Sequence, residues 1–528
     1  MPKTGKTDPV RRGLGFAAGL YGVSILLSRV IGLLREAVIG RTLGNGPEAD
    51  VYFTAFVIPD FLNYLLAGGA LSLVFIPLFH SHLTRNDPES GWRAFSHIAN
   101  FLTLLLIVAT VVLAVAAPTL APFVAPGMDP GQHALLVRLV RIILPAQIFH
   151  VLGGLLSATL QARERHVLPA LAPLVYTGCI VVFGVLLGPS LGAEGFAWGV
   201  LGGSFLGPFL MPLWGNIRSG LRWWPVMSLK APDLRTYLWR SLPVMLGFSV
   251  VVFDDFLLRH FGSLVETGTI ARLTYAKTLM RVPMGVFGLA AGMATYPTLA
   301  RLYASGAVVE ARATLTKAVR MTLVLAMTAQ AALTVAAPHV ALVIWGQRRF
   351  SPDELGEIGM LTGIVCLGLW AWSTQGLIAR GFYARGDTWT PTIVGSIVTV
   401  VFYPVYGLMG RLWGGTGLGL ASSLAISVNA IVMAIMVQRG VPKGEGRGLV
   451  DAVVRLSVAA ALGVGAAWKL PELLLPWVGT WPPTVAALVV GGLAAGVATV
   501  VTLGAASVLG MPEVSALTER LRGRLRRA

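Results

Sequence analysis

The chain has 528 residues, 55% of them hydrophobic and only 12% charged, with a formal charge of +17. A soluble chain carries about a quarter charged residues, so this composition excludes a soluble globular enzyme and indicates a polytopic membrane protein. Its basic residues sit in short loops between apolar runs, as a positive-inside bias requires, so the charge does not argue for nucleic acid.

Residues 1–16 form a basic N-terminal segment with Lys3, Lys6, Arg11 and Arg12. The apolar run behind it is too long for a signal-peptide core, and no cleavage is expected. Runs long enough to cross a hydrocarbon core of ~30 Å then recur throughout. They predict an all-α membrane protein with about fourteen spans, near 17–41, 51–80, 98–121, 133–160, 167–187, 192–217, 237–262, 270–300, 317–337, 357–380, 391–411, 415–438, 448–468 and 481–508. With the N-terminus inside, cytoplasmic segments hold 27 Lys and Arg and the opposite side seven, which predicts both termini cytoplasmic.

An internal repeat runs through these spans. "GLLSATLQARERHVLPALAP" from residue 154 aligns with "GLIARGFYARGDTWTPTIVG" from residue 376, at an offset of 222. Gly154, Leu155, Ala162, Arg163 and Pro169 match Gly376, Leu377, Ala384, Arg385 and Pro391. An even number of spans separates the copies, so the repeat describes two six-helix lobes of the same orientation, residues 17–220 and 221–440. Residues 441–508, spans 13 and 14, lie outside it; their frequent glycines predict that they flank a lateral groove for an apolar lipid chain, and 509–528 form a basic tail suited to anionic headgroups.

Charges interrupt the oily runs, each costing roughly 2.5–3.5 kcal/mol near the midplane. In span 1, Arg29 and Glu36 are seven apart and share a face, while Arg35 points elsewhere; Gly32 is one of several small positions where this helix can bend or be approached. Span 4 carries Arg138 and Arg141, span 7 Asp254 and Asp255, and span 8 Lys277 and Arg281, four apart on one face. Each could instead snorkel or pair for packing alone. Bases outnumber acids, however, and such a surplus implies a water-filled cavity that receives an anion, with Arg suited to a phosphate through its planar fork. Asp254 and Asp255 are ion-coupling candidates, or else partners of Arg259 at the helix end.

Two motifs of soluble type are set aside. "HLTRND", from His82 to Asp87, fits an H-x4-D acyltransferase pattern but fills a short loop between spans. "GGTGLGLA", around residues 414–421, opens a membrane helix, where close helix packing explains it better than a dinucleotide. Cys179 and Cys366 read as small buried hydrophobes, with no metal site or disulfide implied.

The stretch "SRVIGLLREAVIGRTLGNGPEADVYFTAFVIPDFLNYLLAGGALSLVFIPLF" resembles the N-terminal signature of the MurJ (MviN) lipid II flippases, and "LQARERHVLPALAPLVY" and "GFYARGDTWTPT" resemble further family segments. The resemblance covers spans 1 to 12. It implies a two-lobed exporter of the bacterial inner membrane, not an enzyme, that moves undecaprenyl-diphosphate-linked peptidoglycan precursor to the outer leaflet. Alternating access would turn about a cationic central cavity, with Arg29 and Arg35 meeting the diphosphate and Asp50 serving gating or helix packing. The chain departs from the pattern at Asn63, Gly68, Lys277 and Thr278, so another polyprenyl-diphosphate oligosaccharide stays open as the alternative cargo.

Expected substrate contacts are thus Arg29, Arg35, Arg141, Lys277 and Arg281, with Glu36, Asp50 and Gly32 in gating or structural roles. Expected partners are lipid II and membrane lipids, with the chain working as a monomer. No cofactor or metal is expected; membrane potential or a monovalent cation would drive reorientation. The rivals are a polysaccharide or drug exporter of the same superfamily, and a membrane-embedded transferase.

Overall fold

The computed structural model describes residues 27–28, 30–67, 74–346, 349–438 and 448–515, without the side chains of 243–252, 289–290, 293–294 and 475. The described residues form helices and connecting turns, with no strand. Nine helices among them are long and apolar enough to cross a membrane, and they carry the expected spans 3–6 and 9–14. The described parts of the other four expected spans are helical too, apart from a turn at Ala55 and Phe56 in span 2. Hydrocarbon cannot satisfy backbone N–H and C=O groups, so an all-helical chain is the solution this sequence requires. The protein is a multi-pass all-α membrane protein.

Helix starts are written locally. Pro88, Pro130 and Pro352 each open a helix, where a missing N–H costs nothing. The residue before each one caps it: Asp87 accepts from Ser90 N at 3.1 Å, Asp129 from Gln132 N at 2.8 Å, and Ser351 from Glu354 N at 3.2 Å. Asp87 thus caps a helix, while His82 meets Asp233 at 3.4 Å, so the H-x4-D residues do not form an acid–base pair.

The described residues divide into two compact units. One holds the chain up to Val252 apart from Gly44–Asp50, and the other holds Gly44–Asp50 and everything from Phe253. The division lies within the span 7 helix Pro232–Gly262, whereas the repeat places it at 220/221. Asp233, in the first turn of that helix, contacts His82 of the first unit, and Asp254 and Asp255 near its end pair with Lys277 of the second. One long helix contributes residues to both units.

Within each unit the same devices recur at the 222-residue offset. Span 4 is broken between Ile143 and Ala146, and span 10 between Cys366 and Leu369. Span 4 then ends at Ala162 and span 10 at Ala384, each capped by the arginine that follows. In the first turn Glu164 N donates to Gln161 O and Arg165 N to Leu160 O; in the second Gly386 N donates to Tyr383 O and Asp387 N to Phe382 O. This is the Schellman turn, which satisfies carbonyls a helix end leaves open and needs a left-handed residue. Asn86, Gly220, Gly306 and Gly510 close spans 2, 6, 8 and 14 with the same pair of bonds and positive φ.

The offset also relates two helical hairpins. Spans 5 and 6 are joined by the single residue Gly192, at φ +55°, ψ −129°, and spans 11 and 12 turn at Gly414, at φ +58°, ψ −137°. Residues with a Cβ are strained there. Three residues on, Gly195 lies against the backbone of Leu187, where a Cβ would be 2.8 Å from the carbonyl carbon. Gly417 lies against Met409, where it would be 1.9 Å from the carbonyl oxygen. Both the glycines and the backbone they touch are 222 residues apart. The "GGTGLGLA" stretch is therefore a packing device, as its sequence implied.

Spans 13 and 14 pack in the second unit through small residues. A Cβ on Gly463 would meet Ala498 O at 2.7 Å, and one on Gly491 would meet His339 Cβ at 2.8 Å. By contrast, a Cβ on Gly496 would meet nothing within 4 Å. Gly417→Ala should therefore lower the stability of the detergent-solubilised protein by about 1–3 kcal/mol, the cost of overpacking a tight contact. Gly496→Ala should leave it unchanged or raise it by ~0.5 kcal/mol or more through helix propensity. Thermal unfolding of the two variants, with equal midpoints as the opposing result, checks this.

Candidate functional site

Two of the interrupting charges of span 1, Arg35 and Glu36, pair with each other. Arg35 folds onto its neighbour Glu36, its Nε at 3.2 Å and Nη2 at 2.6 Å from Oε1. Glu36 is buried, and the Arg35 side chain is 31% exposed. Arg29, the other expected cavity arginine, lies outside the described residues, as does Gly68. A Cβ on Gly32 would meet nothing within 4 Å, so packing does not require glycine there. Asn63 donates to Gln147 Oε1 at 2.7 Å and so keeps a polar group in the interior of the first unit.

Arg141 has a local explanation. Pro118 has no N–H, so the carbonyl four residues earlier, Ala114 O, loses its helical donor. Arg141 Nε supplies one at 3.0 Å from a side chain on the surface of the unit. Arg138 pairs with Glu194 at 2.6 Å. The structure thus engages both span 4 arginines within their unit.

The second unit concentrates its charge where spans 7, 8, 11 and 12 meet. Lys277 Nζ lies 2.7 Å from Asp254 Oδ2 and 2.6 Å from Asp255 Oδ1, and Arg281 Nη2 lies 2.9 Å from Asp255 Oδ2. The spacing of four that puts Lys277 and Arg281 on one face thus delivers them to the two oxygens of one carboxylate. Asp254 Oδ1 accepts from Ser422 Oγ at 2.9 Å and from the Tyr406 hydroxyl. Lys277 is only 4% exposed and also faces the Trp372 ring at 5.5 Å. Both carboxylates meet cations of span 8, whereas Arg259 lines the recess beside them with Asp255, Lys277 and Arg281. That recess encloses about 20 Å³, room for one water molecule and not for a sugar. Both oxygens of Asp254 are thus engaged, one by Lys277 and the other by Tyr406 and Ser422. Thr278, beside Lys277, donates to Thr274 O at 2.9 Å in its own helix.

Asp50 has a defined place. Its carboxylate accepts from Gly268 N at 2.6 Å and Ala271 N at 2.7 Å, which caps the span 8 helix Thr269–Met284. A carboxylate at a helix N-terminus meets both unpaired donors and the positive end of the dipole. The rest of the 44–50 turn is tied down beside it. Tyr275 Oη donates to Gly44 O at 2.6 Å, and Asn45 Nδ2 to Glu354 Oε1 at 3.0 Å. Arg272 underlies the cap, buried between Glu266 at 2.5 Å and Glu357 at 2.6 Å. Partial burial opposes ionisation of Glu354, but bonds from Ser351 and Asn45 and the nearby Arg272 hold its carboxyl below its ordinary value. Sequence reasoning missed Tyr275, Tyr406 and Ser422, whose partners lie on distant segments that no spacing rule connects, and Arg272, which joins the nearby Glu266 to the distant Glu357.

Spans 9 and 10 border an apolar groove of about 530 Å³. Val335 and Pro338 of span 9, Met360 and Gly363 of span 10, and Trp468 just past span 13 are among its lining residues. No cluster of potential metal ligands occurs among the described residues.

Lys277→Ala should lower stability by up to about 3–5 kcal/mol, because it removes the buried cation that two half-buried carboxylates share and leaves Asp255 to Arg281 and Asp254 to two hydroxyls. Replacing the whole set through Lys277→Met, Asp254→Asn and Asp255→Asn should recover most of that, and Arg281→Gln alone should cost distinctly less. Calorimetry in detergent gives the order; an intact Lys277→Ala protein would contradict it. For Glu354 the depressed value means its stabilising contribution is full above about 4.5 and is lost as pH falls through the lowered value. Acid unfolding of Glu354→Gln should accordingly show a shallower dependence on pH in that range.

The comparisons with known proteins agree with this architecture. The family model described as lipid II flippase MurJ matches residues 39–487. A probable lipid II flippase MurJ of Rhizobium meliloti is 27% identical over 485 residues, 90% of each chain. The lipid II flippase MurJ of Burkholderia cenocepacia is 26% identical over 422 residues, 77% of this chain and 80% of that one. Among solved structures, a lipid II flippase MurJ in an inward closed conformation superposes with a TM-score of 0.72 at 19% identity, covering 91% of this chain and 97% of its own. An inward-facing multidrug transporter of the MATE family superposes at 0.66 with 15% identity, covering 79% and 97%. With residues 39–487 matched by one family model, well over half of its length, this chain belongs to the MurJ family of lipid II flippases.

Proposed function

We propose that this chain carries lipid II from the inner to the outer leaflet of the bacterial cytoplasmic membrane, with both termini cytoplasmic and one copy sufficient. The family match over residues 39–487 carries the reading. No covalent chemistry is involved, and the protein is a transporter. The work is to give a diphosphate and its sugars a polar path, by alternating access around a cationic cavity, while the lipid tail stays in hydrocarbon.

Arg29 and Arg35 are the diphosphate contacts in this reading. Arg35 engages Glu36 through two of its nitrogens and remains part-exposed, so a diphosphate can compete for a guanidinium held in place by a built-in counter-ion. Lys277 and Arg281 hold the second unit's charged core together and do not grip cargo. Since both span 7 carboxylates are engaged by these cations, membrane potential is the favoured driving force over a coupled monovalent cation. The apolar groove beside Trp468 suits the polyprenyl tail by size and lining.

The test is a headgroup-accessibility assay in liposomes containing the purified protein. Wild type should expose lipid II to an external modifying enzyme. Arg29→Ala and Arg35→Ala should reduce the rate by at least about tenfold, a charge-assisted contact's worth. Arg29→Lys should recover part of it, since an ammonium cannot make the bidentate contact. Absence of lipid II exposure by wild type, with exposure of a different undecaprenyl-diphosphate oligosaccharide, would replace the cargo. The bulky substitution Gly363→Met, which fills part of the groove, should slow a full-length lipid more than a short-tailed analogue.

A further inference from the structure

The two repeats differ in charge at the turn after the shared arginine, and the exchange of Asp387 for Arg165 leaves a built-in cationic pair in the first copy. In the second copy Arg385 caps span 10 and pairs with Asp387 at 2.8 Å, an aspartate that also caps Thr390 N at 3.0 Å. In the first copy Arg163 stands at the Arg385 position, but Arg165 stands at that of Asp387. The backbone turn is the same in both, so the counter-ion has been exchanged for a second guanidinium on one scaffold.

Both arginines converge on Ser219. Arg163 Nη2 donates to Ser219 O at 2.7 Å, and Arg165 Nη1 donates to Ser219 Oγ, which itself donates to Gly215 O at 2.6 Å. Neither forms an ion pair with a described carboxylate, although Glu164 stands between them in sequence. Arg163 Nη1 is buried and donates to nothing, while its guanidinium faces the buried Trp92 ring at 5.8 Å. Burial, and after it the neighbouring Arg165 charge, depress the Arg163 guanidinium below its ordinary value. Two guanidiniums held together without a counter-charge repel each other; an anion between them relieves that and supplies the missing acceptor.

We propose that Arg163, Arg165 and Ser219 form a binding site for the phosphate of an anionic phospholipid, at the membrane surface where span 4 ends. A lipid is favoured over a free phosphate because apolar side chains flank the pair. Val167 follows Arg165 by two residues, and Trp214 and Ile217 precede Ser219 on the same helix end; all three are exposed. Exposed apolar residues so near the pair in sequence offer acyl chains a surface that a free phosphate would not use. The second unit has no equivalent, since Asp387 fills the place of the anion.

Native mass spectrometry of the full-length protein tests this, through the first lipid-binding step with phosphatidylglycerol and with phosphatidylcholine of the same chains. Wild type should bind phosphatidylglycerol about tenfold more tightly, the equivalent of a charge-assisted bond. Arg165→Asp, which copies the second lobe's charge pattern on an exposed side chain, should remove the preference with no change in thermal midpoint. Arg163→Gln should weaken it, and Arg385→Gln should leave it intact. Survival of the preference in Arg165→Asp would overturn the proposal. So would full suppression of it by 10 mM inorganic phosphate (about physiological in order of magnitude), since the site would then be one for the free ion.

Discussion

A polar group in hydrocarbon must find its partner within the protein, and most of this structure follows from that rule. Helices answer it along their length, and the exceptions at ends and breaks are answered one by one. Asp87, Asp129 and Ser351 cap helix starts, and left-handed residues close six helix ends with a shared pair of bonds. Where Pro118 strips Ala114 O of its donor, Arg141 reaches across from another span. The same rule gathers Lys277, Arg281, Asp254, Asp255, Tyr406 and Ser422 into one network. A charge that looks costly in a linear reading is inexpensive when its partner is already waiting on the next helix.

Repetition is the second organising fact. The 222-residue offset that relates an A-R turn and a proline in sequence extends to broken spans, Schellman turns and glycine hairpins. These features are backbone geometry, and backbone geometry tolerates wide variation in side chains while holding specific glycines fixed. Gly192 and Gly414 keep the same φ and ψ although few residues around them match. The two lobes therefore share a chassis and diverge in charge, as Asp387 and Arg165 show.

The fold is legible in the sequence because apolar length and turn chemistry are local. Spans, the repeat and the packing role of the 414–421 glycines can all be read from neighbouring residues. The family signature likewise sits in short contiguous stretches. Charge is harder, since a lone Lys277 looks like a cavity cation until Asp254 and Asp255 are seen beside it. Both aspartates stand out in the sequence, but assigning them to Lys277 requires knowing that spans 7 and 8 face each other there. Tyr406 and Ser422 offer no signal, because hydroxyls 152 and 168 residues from Asp254 have no spacing to betray them. Arg141 eludes a linear reading for a related reason: the vacancy it fills is created by a proline on another span.

The turn at Gly44–Asp50 has a consequence for biosynthesis. It leaves the ribosome more than two hundred residues before Gly268, Ala271, Tyr275 and Glu354, which hold it. Until those residues exist, its carboxylate and carbonyl lack the partners that hold them in the finished fold. Completion of the second unit thus depends on a segment synthesised before any other part of it. A gene cut at the 252/253 division would yield a second half lacking the cap on span 8. The two halves of this protein, alike as they are, could not be inherited as separate genes without that segment travelling with the second.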